Sequence, residues 1–241
     1  MRSWRVVLQF AITLGLGMAT VLPIAGSAGS LPDTQVSPLS QYLMADRSAE
    51  IALARSAAPA SVSLHATALI LTPHGYITAV QGTNGFTCLV ERSWTSPFDA
   101  TDFWSWKLRG PVCYNAPASR TVLRYTIFRA TLAAAGVSKA QMLDRLQAAI
   151  ENHYLPRAEP GSMAYMLSRK QYLGDAGKAW YPHLMLYAPK SSGANSGESW
   201  GANRPGSPVV FDSSHHIVPE PWTIFYVPVG RWSDGSAAPS M

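Results

Sequence analysis

A chain of 241 residues with 47% hydrophobic and 14% charged side chains is too apolar to be disordered and long enough for one sizeable core. Its formal net charge of +5 is mild, and the cations are scattered without a basic run, which argues against nucleic acid as a partner. No Gly-x-Gly-x-x-Gly, Walker or Cys-x-x-Cys motif occurs, so no cofactor is expected.

The chain opens with Arg2 and Arg5, an almost wholly apolar run from Val6 to Leu22, then Pro23 and the small residues Ala25 to Ala28. Residues 1–28 therefore read as a secretory signal peptide. A membrane anchor is the competing reading, but the run is short for one and Pro and small residues follow it. No cysteine stands at the cleavage site to carry a lipid, and no later run approaches the roughly 20 apolar residues of a span. The expectation is an exported protein on the bacterial pattern, periplasmic or extracellular, with no stable membrane span after signal cleavage. Residues 29–41 read as a linker, 42–232 as a single globular domain and 233–241 as a flexible tail.

Asp46 or Ser48 could cap a short helix running to Arg55. Three strands then fall between Ser63 and Arg92: Ser63 to Thr72, Tyr76 to Gln81 and Phe86 to Arg92. Asn84-Gly85 is a strong hairpin signal, because a type I′ turn needs positive φ at both central residues. With that pair at the tip, Gln81 faces Cys88, Ala79 faces Val90, and Phe86, Cys88 and Val90 share a face with Ile77 and Ala79. The stretch from Trp94 to Pro111 is a loop rich in aromatics. Arg120 to Ala135 reads as a helix closed by Gly136, and Ser138 with Gln141 forms a capping box for a second. Ser162 to Ser168, His183 to Tyr187, Pro208 to Asp212 and Trp222 to Val227 are the later strands. The order of elements predicts an α+β fold: a mostly antiparallel sheet, built from the N-terminal three-strand meander and the C-terminal strands, with two or three helices packed on one face.

Cys88 and Cys113 are the two cysteines of a chain bound for an oxidising compartment, so they are expected to form a disulfide. A bridge closing a loop of about 25 residues contributes on the order of 3 kcal/mol in the chain-entropy model.

Gly197-Glu198-Ser199-Trp200-Gly201 matches the pattern of a hydrolase nucleophile elbow, followed by Asp212 and His215. The elbow needs a strand before the serine and a helix after it, and the Gly and Pro residues beyond Ser199 oppose that helix. No catalytic residue is assigned on this basis. The six histidines show no His-x-x-x-His spacing, and no metal ligand is assigned. Seven tryptophans lie beyond the signal segment and read mainly as core residues. The exception is the loop from Lys190 to Gly206, where Trp200, Asn203 and Arg204 combine a stacking face, a two-way amide and a donor fork. A plain spacer is the competing reading for that loop. The candidate binding residues are therefore Trp200, Asn203, Arg204, His183 and His215. They suit a non-catalytic exported domain that binds a cell-envelope ligand or a partner protein. The alternative is a hydrolase or metal-dependent enzyme centred on His183, Asp212 and His215.

Overall fold

The alternating apolar segments become eight strands of one sheet in the computed structural model, which describes residues 37–174, 181–190, 209–211 and 216–239. The strands are β1 (Thr67–Thr72), β2 (Gly75–Val80), β3 (Thr87–Glu91), β4 (Gly110–Tyr114), β5 (Met163–Met166), β6 (His183–Pro189), β7 (Val209–Phe211) and β8 (Trp222–Pro228). Their order across the sheet is β2-β1-β3-β4-β5-β6-β8-β7, and every neighbouring pair is antiparallel except β1 with β3. The helices among the described residues are α1 (Leu39–Tyr42), α2 (Arg47–Arg55), α3 (Ala60–Ser63), α4 (Ala116–Arg120), α5 (Val122–Ala134) and α6 (Lys139–Glu151). The fold class is α+β, with a mixed, mostly antiparallel sheet.

The expected meander is replaced by a crossover. β3 does not pair with β2; it lies on the other side of β1 and runs parallel to it, with Thr67 opposite Thr87 and Ala68 opposite Cys88. The turn at Asn84-Gly85 is used to make that crossing. The amides of Thr83 and Asn84 donate to the His65 carbonyl (2.8 and 3.4 Å), and Asn84 Nδ2 donates to Val62 O (2.8 Å). Gly82 lies against the start of β1, where a Cβ would stand 2.1 Å from Thr67 N, so only glycine permits the approach. Ile77, expected beside Cys88, is instead exposed on the edge strand β2. β4 was not legible as a strand, since Gly110 and Pro111 at its start read as loop residues.

Helices cover both faces rather than one. Strand alternation sends Leu89, Val112, Tyr114, Ala164, Met185 and Tyr187 into the larger core, to which α5 and α6 contribute Leu123, Tyr125, Leu132, Met142 and Leu146. On the opposite face Cys88, Val90 and Cys113 pack against Ala54, Ala57 and Ala58, at and just beyond the end of α2. Cys88 and Cys113 are directly opposite across β3 and β4 and are joined by a disulfide, as their even number predicts.

Local signals place the helices well. Asp46 Oδ1 accepts from Ser48 N and Ala49 N to start α2 (2.7 and 3.2 Å), and the Ser138–Gln141 capping box starts α6. Gly136, at φ +69°, ends the α5 region in the left-handed conformation that glycine tolerates best. The aromatics of the Trp94 to Pro111 stretch are largely core: Trp94, Phe98, Phe103 and Trp104 are buried, while Trp106 is exposed. Beyond β8, Ser233 N donates to Leu167 O and Ser233 Oγ to Ser56 O (2.9 and 2.6 Å), which ties the segment after residue 232 to the domain. No helix among the described residues is long and apolar enough to cross a membrane.

Candidate functional site

Between the sheet and α5 lies a cavity of about 560 Å³. Period-two alternation builds its floor, because every second side chain of a strand faces the same way. His183, Met185 and Tyr187 of β6 stand beside Trp222, Ile224 and Tyr226 of β8, and Met166 of β5 adds to them. Val122, Tyr125, Thr126 and Arg129 of α5 form the wall above. Asp99 and His216, both exposed, stand on the rim.

Among the polar groups of this mainly apolar space is Glu91, the last residue of β3, in phase with buried Leu89. Its Oε1 accepts from Tyr114 Oη at 2.5 Å and from Thr126 Oγ1 at 3.1 Å, and Oε2 lies 3.5 Å from Thr95 Oγ1. Burial raises the pKa of this carboxyl above the ordinary value. The hydrogen bonds from Tyr114 and Thr126 and the charge of Arg129 act in the opposite direction without cancelling the shift. Burial also raises the phenols of Tyr114 and Tyr187 well above their ordinary value, so both keep their protons. Glu91 is thus biased towards the neutral acid, able to donate as well as accept.

His183 is held differently. Its Nδ1 donates to the Tyr181 carbonyl at 2.7 Å, which leaves Nε2 as the acceptor nitrogen of the neutral ring. Burial lowers its pKa, and the bond to Tyr181 only partly opposes this. The ring also meets Tyr226 edge-on, with centroids 5.1 Å apart. One cavity therefore contains a carboxyl biased to keep its proton and an imidazole biased to lack one.

Arg129, almost completely buried, braces the rim. Nη1 donates to the carbonyls of Trp94 and Ser96 at 2.9 Å each, Nη2 pairs with Glu220 Oε1 at 2.5 Å, and the guanidinium lies 4.4 Å above the Phe98 ring. Asp99 fastens the opposite segment: Oδ1 accepts from Ile217 N (2.9 Å) and Oδ2 lies 3.0 Å from His216 Nδ1. Burial opposes ionisation of Asp99, but the hydrogen bonds from His216 and Ile217 outweigh it and its pKa falls.

Of the residues singled out from the sequence, His183 lines this cavity, and Cys88 and Cys113 form their bridge on the other face of the sheet. Trp200, Asn203, Arg204, Asp212, His215 and Ser199 lie outside the described residues. Among the described residues no group of three or more His, Cys, Asp or Glu side chains is placed to hold a metal ion.

Sequence reasoning missed Glu91, Tyr114, Thr126 and Arg129. Two signals could have raised them: a carboxylate sharing the buried phase of Leu89, and an arginine within the apolar helix Val122–Ala134. No protein-family model, no curated protein and no solved structure matches this chain.

Proposed function

We propose that this is an exported, non-catalytic binding domain that takes up a small, mostly apolar and uncharged component of the cell envelope, bearing one hydrogen-bonding head group. The observation that carries the reading is Glu91, held by Tyr114 and Thr126 in the wall of a mainly apolar, aromatic cavity of ligand size, where burial raises its pKa. Aromatic and methionine side chains supply area without charge, and Glu91 supplies a directional contact to a carbonyl, hydroxyl or amide. A charged ligand is disfavoured. Among the described residues the cation lining the cavity with Glu91 is Arg129, which is already shared among two carbonyls and Glu220, so a carboxylate or phosphate would meet Glu91 without it. Export is supported by the signal pattern of residues 1–28 and by the Cys88–Cys113 bridge. Trp200, Asn203 and Arg204 belong to the same proposal as recognition residues, on the strength of their combined stacking and hydrogen-bonding capacity.

Organic extraction of exported protein, followed by mass spectrometry, should release a small apolar compound. Titration with uncharged amphiphiles should quench tryptophan emission saturably, with Trp222→Phe as the control for the reporter. Glu91→Ala should weaken the tightest of them by about tenfold, the scale of a lost buried hydrogen bond. An empty extract together with no saturable binding by any amphiphile would overturn the reading.

A second reading is favoured by one observation: Glu91 and His183 are pushed towards opposite protonation preferences in one cavity. Such a pair suits an acid and a base for a hydrolase. It keeps His183 as a participant and leaves Asp212 and His215 as candidates. Glu91→Gln separates the two readings, since the amide keeps the acceptor and the shape but cannot transfer a proton. Turnover would be lost in the enzyme, whereas a binding domain would keep its affinity within a few-fold.

A further inference from the structure

A second concavity lies on the side of the molecule away from the Glu91 cavity, where α2 ends, the segment after β5 passes and the turn following Trp232 closes in. Its walls include Arg55, Arg169 and Lys170 with the hydroxyls of Ser63 and Ser168. Among the described residues three cations meet one carboxylate there, Asp234, and its contact with Arg169 is loose, 3.8 Å between exposed side chains. Arg169 Nη1 also reaches Ser236 Oγ at 3.3 Å. Ser168 is buried and tied down: its Oγ lies 2.6 Å from Ser56 Oγ and accepts from Lys170 N at 3.1 Å, which fixes the backbone that carries Arg169 and Lys170.

Arg55 is the unusual member. Its side chain is half-buried, and its Nε is covered without a hydrogen-bond partner among the described residues. A covered guanidinium donor without a partner is costly, and such a group ordinarily gains one from an ordered water or an ion. Its last-turn position in α2 gives a weak reason for a cation there, through the helix dipole, but none for a desolvated and unsatisfied Nε.

We propose that this concavity binds a tetrahedral oxyanion group of the phosphate or sulfate class. Arg55 supplies its planar fork, Lys170 and Arg169 supply charge, and Ser63 supplies a hydroxyl donor. The guanidinium fork matches two oxygens of one group, and the surplus of two positive charges over Asp234 leaves the site able to neutralise a dianion. The oxyanion displaces the loose contact between Arg169 and Asp234. The site is independent of the Glu91 cavity, since the two concavities share none of the described residues.

The test is thermal unfolding of the full exported chain against inorganic phosphate, inorganic sulfate and glycerol 3-phosphate, each with sodium chloride at equal ionic strength as the reference. A specific site gives a rise in Tm that saturates with concentration, whereas general salting-out rises without limit. Arg55→Gln should weaken the saturating component by about tenfold or more, and Lys170→Gln by about threefold to tenfold. Tighter binding of glycerol 3-phosphate than of phosphate identifies an ester-borne group as the ligand; equal binding identifies the free anion. Saturable stabilisation that is unchanged in Arg55→Gln overturns the proposal. If that variant does not fold, unchanged saturation in both Lys170→Gln and Arg169→Gln overturns it, because those two exposed side chains can be replaced without disturbing the core. A Tm that never departs from the chloride reference also overturns it.

Discussion

Tyr114 donates its phenolic proton to Glu91 Oε1 at 2.5 Å, joining neighbouring strands β4 and β3 on the face that meets α5. The bond places a carboxyl on the wall of an apolar cavity and holds it there in one orientation. Removing it by Tyr114→Phe should cost about 1 kcal/mol, because Glu91 Oε1 keeps its second donor, Thr126. The variant should also titrate Glu91 still higher, since the Tyr114 bond is one of the influences that lower its pKa.

Glu91 should make the protein less stable as pH rises. Its folded pKa stands above the ordinary 4.5, so above that pH the folded state retains a proton that the unfolded chain has released. Stability therefore falls from about pH 4.5 upwards, until Glu91 ionises in the folded state. Glu91→Gln should lack this component. Urea unfolding of parent and variant between pH 4 and 8 measures it, and parallel stability curves would refute the assignment.

His183 should act in the opposite sense on the acid side. Burial lowers its folded pKa below 6.5, so as pH falls through 6.5 the unfolded chain takes up a proton that the folded one refuses. Its contribution is fully present above that pH and is lost progressively below it, until folded His183 also protonates. In His183→Gln the loss between pH 6.5 and 5 should be smaller than in the parent. His65, His74 and His153 are exposed and serve as control positions for the same substitution.

Arg92 and Glu50 form an ion pair buried on both sides at 2.7 Å, with Glu50 Oε1 also accepting from Leu71 N and Arg92 Nε donating to Tyr42 O. Arg92 Nη1 bonds the Val90 carbonyl as well. Glu50→Ala leaves a desolvated guanidinium in place and should lower stability by about 3–5 kcal/mol. The exposed pair of Arg120 with Glu159 has a similar separation, 2.6 Å, yet Glu159→Ala should leave Tm unchanged because water already solvates both groups. Equal effects of the two substitutions would show that burial does not control the strength of these pairs.

Reduction or removal of the Cys88–Cys113 bridge should lower stability by about 3 kcal/mol, the value for a loop whose ends are 25 residues apart. Thiol titration of the unfolded, unreduced protein should find no reactive thiol. The pair lies in the smaller core against α2, so Cys88→Ala with Cys113→Ala should leave the Glu91 cavity able to bind the ligand that the parent binds.

The sequence by itself determined the features that depend on neighbours a few residues apart. The Asp46 cap of α2, the Ser138–Gln141 box of α6, the glycine at 136 and the alternation of Phe86, Cys88 and Val90 are all local patterns, and the structure contains each of them. The even cysteine pair was legible for a similar reason, as only one partner was available. Tertiary structure decided where β3 went. Asn84-Gly85 is compatible with a hairpin onto β2, but the His65 and Val62 carbonyls capture the turn's donors, and Gly82 lets the chain cross β1. Tertiary structure also decided the site. Glu91, Arg129 and His183 are separated by dozens of residues, and nothing in the spacing of one reveals the others. The protonation of Glu91 and His183 depends on how completely the packing of α5 against the sheet excludes water around them. That exclusion is a property of packing across the whole sheet, so no local segment could have shown it.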